Sequence, residues 1–160
     1  MGDIEQRQDE TPVVERVASS MADVDAVEWD ACALGTASSE PSSRPHNPVI
    51  SHAFLAALEE SRSASRATGW LPQHLLFEDK DGRLLGAMPC YLKSHSLGEY
   101  VFDHGWADAY ERAGGSYYPK LQAAVPFTPV TGRRLLVRDN GERTKAILLQ
   151  AAATLTERLG

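Results

Sequence analysis

No apolar run in the sequence exceeds a few residues, far short of the ~20 that span a bilayer as a helix. The start, MGDIEQRQDE, lacks the basic-then-apolar layout of a secretory signal. A cytoplasmic protein with no membrane partner is the resulting expectation. Gly2 opens a myristoylation-like start, but Gln6 stands where that pattern wants Ser or Thr. Cysteine is scarce: Cys32 and Cys90 fit neither a disulfide framework nor a Cys-x-x-Cys motif, and read as buried small hydrophobes. Positive charge is in deficit, with 16 Lys and Arg against 22 Asp and Glu and a net charge of −6. That balance argues against a nucleic-acid partner or a membrane surface. The five histidines, His46, His52, His74, His95 and His104, form no i, i+4 pair, so no metal is expected. A Gly-x-Ser-x-Gly elbow, a P-loop and a Gly-x-Gly-x-x-Gly fingerprint are also missing.

What is present is ordinary globular composition, 42% hydrophobic and 24% charged over 160 residues, enough for one domain or part of one. Residues 1–11 read as a frayed tail. VVERVA (13–18) reads as a strand; Ser19, Ser20 and Asp23 then supply cap chemistry for a helix carrying Val24, Val27, Ala31 and Leu34, stopped by Gly35. Residues 36–48 hold three prolines and four serines, a loop composition. Ser51 caps a second helix with Phe54, Leu55 and Leu58 on its apolar face. QHLLFE (73–78) and RLLGAMPCYLK (83–93) form a hairpin across Asp79–Gly82, with Pro89 marking an edge or a bulge. The aromatic-rich stretch 94–120 holds one short helix, Trp106 to Ala113, ended by Gly114 and Gly115. Strands Leu121 to Phe127 and Arg134 to Val137 follow, and Asn140-Gly141 turns the chain into a helix from Glu142 to Leu159 with a wide apolar stripe.

The predicted fold is α+β (α/β), order β-α-α-β-β-(α)-β-α, with a mixed, mostly antiparallel sheet flanked by helices. This is the order of the first half of the acetyltransferase (GNAT-type) fold that uses acyl-coenzyme A. In that fold further strands follow the last helix. The expectation is therefore that residues 12–160 are the N-terminal part of such a domain, with the remainder of a longer chain as partner and an unpaired edge beside Leu121 to Phe127.

Three stretches carry a resemblance: NPVISHAFLAALEES, GWLPQHLLFEDKDGRLLGA, and the long run YLKSHSLGEYVFDHGWADAYERAGGSYYPKLQAAVPFTPVTGRRLL. From about Asn47 to Leu136 the chain resembles the FemAB-like family of predicted N-acyltransferases. The resemblance implies a longer, acetyltransferase-like protein linked to peptidoglycan biosynthesis or recognition, and acyl or aminoacyl transfer to a small-molecule or peptidoglycan-precursor amine.

Such transfer needs a base for the amine, donors for the tetrahedral oxyanion and an acid for the leaving group. Glu99, Tyr100, Asp103 and His104 fall within six residues, and His104 or Glu99 is the expected base, with a tyrosine as acid. An aromatic-rich insertion packed under a lid accounts for the same residues. His104→Ala and Glu99→Gln are expected to cut turnover with folding intact, and Trp106→Ala to cost about 3 kcal/mol if its indole is buried. Pro126 and Pro129 remove two ladder donors, as a splayed strand requires, so Pro126, Thr128, Thr131 and Gly132 are candidates for the donor's pantetheine arm. Its pyrophosphate is placed at the next helix start, with Gly141 and Arg143, though the two spaced glycines of the usual acyl-CoA cradle are missing there. Two alternatives remain: an aminoacyl-tRNA-dependent peptidoglycan transferase, which the net charge disfavours, and an acetyltransferase-like binding domain without catalysis.

Overall fold

Three serine and aspartate caps and two breaks set the elements. A computed structural model describes residues 13–34, 47–138 and 141–159. The expected tail, the Gly35 stop, the Pro- and Ser-rich loop up to residue 46 and Asn140 lie outside the described residues. Strand β1 is Val13–Ala18. Ser20 caps a single 3-10 turn, Met21–Asp23, by accepting from the Ala22 N–H. Val24 is extended, and helix α1 (Ala26–Ala33) begins only after Asp25, whose carboxylate accepts from the Glu28 N–H. Val24, Ala31 and Leu34 of the predicted stripe are buried or packed against the core, and Val27 alone is corrected. Val27 is 77% exposed, and Trp29, Cys32 and Ala33 take the core face. Ser51 caps α2 (His52–Glu60) as expected, with Leu55 buried; such a cap contributes about 1 kcal/mol.

Strands β2 (Trp70–Pro72) and β3 (His74–Asp79) follow. The Asp79 carboxylate accepts from the Asp81 and Arg83 N–H groups to close the hairpin turn. The run read as one strand is two, β4 (Leu84–Met88) and β5 (Cys90–Lys93), with Pro89 between them. Pro89 is where the chain passes from one sheet to the other. Sheet one has the order β1-β3-β4-β7 and sheet two β2-β5-β6, every pair antiparallel. Helix α3 is His104–Arg112, β6 Lys120–Ala123, β7 Leu136–Val137 and α4 Glu142–Leu159. The strand expected to reach Phe127 ends four residues earlier, because Phe127 adopts a left-handed φ of 57° that no strand accommodates. Among the described residues β6 has β5 as its one neighbour.

The architecture of the described residues is mixed α+β, with antiparallel sheets and four α-helices. Side chains alternate across β3. Leu76 packs with Trp29, Cys32 and Leu55 of α1 and α2, while Leu75 and Phe77 pack with Leu148 of α4. The helices thus cover opposite faces of sheet one. Gly86 of β4 sets how closely α4 approaches: a Cβ there falls 2.6 Å from Thr144 Cγ2 and 3.1 Å from Leu148 Cδ1. Gly86→Ala is expected to lower stability by about 1–3 kcal/mol by lifting α4. Adding Thr144→Ala, which removes the clashing methyl, is expected to recover much of that loss. Thermal unfolding of both variants checks this, and an unchanged midpoint for Gly86→Ala contradicts the packing.

Candidate active site

Sheet two positions the polar groups. In its top row Trp70 of β2 pairs with Lys93 of β5, and Lys93 pairs with Lys120 of β6. Two lysines directly opposite on one face repel. Each receives its own carboxylate from the excursion between β5 and α3: Glu99 pairs with Lys93, and Asp103 with Lys120. Lys93 is only 1% exposed, its ammonium 3.6 Å from the Trp70 ring centroid, where the ring face favours a cation. The two ion pairs bind the excursion to the sheet.

Around Asp103 the hydroxyls converge. Tyr117 donates to Asp103 Oδ2 over 3.1 Å, and Lys120 donates to the Tyr117 hydroxyl over 2.9 Å. The Tyr118 hydroxyl lies 3.0 Å from Asp103 Oδ1 and 2.5 Å from Ser96 Oγ. Beside them a cleft of ≈ 380 Å³ is lined by Tyr110, Tyr117, Lys120 and Leu121, and by Thr156 and Leu159 from the end of α4. That volume suits a small molecule or one arm of a larger one. A second hollow of ≈ 210 Å³, lined by Arg66, Gly69, Leu71 and Ser94, shares Leu92 and Pro119 with it.

The charge states follow from this packing. Burial opposes ionisation of Asp103, but Lys120, Ser96 and Tyr118 outweigh it and hold the carboxyl well below the usual carboxylate range. Burial likewise opposes the Lys120 ammonium, and Asp103 and Tyr117 outweigh it, so its pKa is raised. A depressed folded pKa stabilises above the unfolded value, about 3.9 for Asp, and that stability is lost as pH falls below it. A raised lysine pKa stabilises below about 10.4, and is lost as pH rises through the folded value. Wild-type stability minus that of Asp103→Asn is therefore expected to be a plateau falling at both ends. Urea midpoints across pH check this, and a flat difference contradicts it.

The other predicted site residues are dispersed. Tyr100 is exposed. His104 is exposed at the start of α3, its ring stacked on Phe102 at 5.2 Å. Pro126 and Thr128 flank Phe127, whose ring packs on Trp70 at 5.6 Å. Thr128 Oγ1 accepts from the Val130 N–H, and the Thr131 carbonyl accepts from Asn47 Nδ2. Gly132 is crowded, with a Cβ there meeting Asn47 Nδ2 at 2.6 Å. Gly141 precedes α4, its carbonyl accepting from the Lys145 N–H, and Arg143 is exposed. Thr156 lines the cleft fifteen residues along the helix from Gly141, roughly 20 Å at 1.5 Å per residue. Two expectations about variants are corrected. Trp106 is 75% exposed, so Trp106→Ala removes no buried indole, and Glu99→Gln breaks a buried ion pair rather than leaving folding untouched.

Lys93, Ser96 and Lys120 carry no signal as site residues in the sequence, because their roles arise from the β5–β6 register. Both cysteines are buried, and burial pushes the Cys32 thiol up to about 11 and Cys90 up to about 12. Neither is a nucleophile at neutral pH. Among the described residues no three His, Cys, Asp or Glu side chains group to hold a metal, and no helix is long and apolar enough to cross a membrane. A family pattern described as FemAB-like, peptidoglycan biosynthesis/recognition, matches residues 20–160. Neither curated proteins nor solved structures give a match.

Proposed function

The chain belongs to the FemAB-like family of peptidoglycan biosynthesis/recognition, and we propose that it transfers an acyl or aminoacyl group to the amine of a peptidoglycan precursor. The antiparallel sheet with α1 and α2 on one face and α4 on the other is read here as part of an acetyltransferase-like, GNAT-type fold. The observation that carries the reading is the Lys120–Tyr117–Asp103 group at the wall of the cleft. An amine attacking an acyl carbonyl turns its oxygen into an oxyanion. An ammonium fixed beforehand by a half-buried carboxylate and a phenol oxygen stabilises that charge without reorganisation.

In this reading Asp103 is a positioning group and not the base, because a carboxylate held well below its usual range takes a proton poorly. Glu99 is committed to Lys93. His104, next to Asp103 and exposed, is the group left to take the amine proton. Acyl-CoA is the proposed donor, with Pro126, Thr128, Thr131 and Gly132 toward its arm, and Gly141 and Arg143 toward its pyrophosphate. The separation along α4 between Gly141 and the cleft is one that a long pantetheine arm bridges.

A second reading, recognition without transfer, rests on one observation: among the described residues that line the cleft none is Asp or Glu, and Asp103, which touches two of them, is paired with Lys120. The test is incubation of the protein with acetyl-CoA and a disaccharide muropeptide bearing a free stem-peptide amine. Thiol release that depends on the muropeptide, with acylation of its amine, is the expected result. Binding without thiol release supports recognition alone, and absence of both overturns both readings.

A further inference from the structure

Helix α3 turns an aromatic face to solvent. Trp106 is 75% and Tyr110 55% exposed, and their i, i+4 spacing places them side by side along one face. Tyr110 is also a wall of the cleft, so the cleft and this face are continuous. Gly115 is what lets Tyr110 lie there, since a Cβ at that position falls 2.3 Å from the ring. Large aromatics are left in water where something flat and partly apolar covers them. The helix buries only Ala107, and its remaining exposed surface carries Asp108 and Glu111 with Arg112. On a chain of net charge −6 that arrangement repels an anionic lipid surface and complements an ammonium-bearing ligand.

We propose that Trp106 and Tyr110 form a saccharide platform, on which a sugar ring of an amine-bearing muropeptide stacks while its stem peptide enters the cleft. The C–H face of a pyranose is apolar and matches an aromatic ring, and its hydroxyls stay hydrated at the rim. This inference rests on the peptidoglycan reading of the cleft and adds the part of the acceptor that is recognised.

Tryptophan fluorescence reads the platform alone. Trp29 and Trp70 are 0% and 1% exposed, so acrylamide quenching of the folded protein reports Trp106. A disaccharide muropeptide is expected to protect Trp106 from acrylamide, whereas the same stem peptide without sugar is not. Tyr110→Ala is expected to abolish the protection, and Trp106→Ala to weaken muropeptide binding by calorimetry about 10-fold or more with an unchanged melting temperature. Equal affinity in Trp106→Ala, or no protection by the muropeptide, overturns the platform. So does protection by phosphatidylglycerol vesicles or by raised protein concentration in its place, which assigns the face to lipid or to a second copy. Acylation of the disaccharide muropeptide without Trp106 protection removes the platform and leaves transfer standing. Protection without thiol release does the reverse.

Discussion

Glu99→Gln is expected to lower stability by about 3–5 kcal/mol, the usual cost of removing one partner from a buried ion pair. Lys93 is 1% exposed and pairs with Glu99 on one side and the Trp70 ring on the other. Without the carboxylate its ammonium keeps only the ring, which offsets a small part of the lost solvation. A loss of that size is a large share of a domain's total stability of about 5–15 kcal/mol, so the variant is expected to be partly unfolded at room temperature in modest urea. Lys93→Met/Glu99→Gln, which replaces both charges with uncharged groups of similar volume, is expected to regain most of the loss. Urea unfolding of the three proteins decides this. If Glu99→Gln unfolds at the wild-type midpoint, the pair does not hold the excursion to sheet two.

Lys120→Met is expected to reduce turnover by ~10²–10³-fold, the effect of removing one oxyanion donor, with the circular dichroism spectrum unchanged. Lys120 lies at the edge strand with its side chain 24% exposed, so its loss leaves no buried orphan of the Lys93 kind. Asp103 retains contacts to Tyr117 and Tyr118. The fall is expected in kcat with KM little changed, because the ammonium meets charge that exists only in the transition state. A rise in KM alone assigns Lys120 to ground-state binding of the acceptor. Wild-type turnover in Lys120→Met removes it from the chemistry.

The parts of the fold legible in the sequence are those whose pattern is local. Strand β1, the Ser51-capped α2, the Asp79–Gly82 hairpin and α4 each carry their own cap, turn residue or apolar stripe. Strand β2 was not legible, because Trp70–Pro72 is three residues ending in a proline and is a strand only through its pairing with β5. Pro89 announced an irregularity, but the change of sheet there depends on which neighbours β4 and β5 find. Around α1 the stripe suggested by the sequence holds at Val24, Ala31 and Leu34, but Val27 faces solvent and Trp29 is buried as well. The exposed Trp106 shows the limit of composition, since an aromatic in an aromatic-rich run reads as core until its neighbours are known.

For the site, the acidic and aromatic composition of residues 94–120 was visible, and the lysines that give it structure were not. Glu99 and Asp103 looked like free bases because their partners are cross-strand neighbours joined by register, not by sequence. The most direct measurement is amide and methyl chemical-shift mapping of the protein during titration with the amine-bearing disaccharide muropeptide. The account predicts that the largest shifts fall on Leu92, Tyr110, Lys120, Leu121, Thr156 and Leu159, which line the cleft. Shifts confined to Thr128, Thr131 and Gly132, with the cleft residues unmoved, would contradict it.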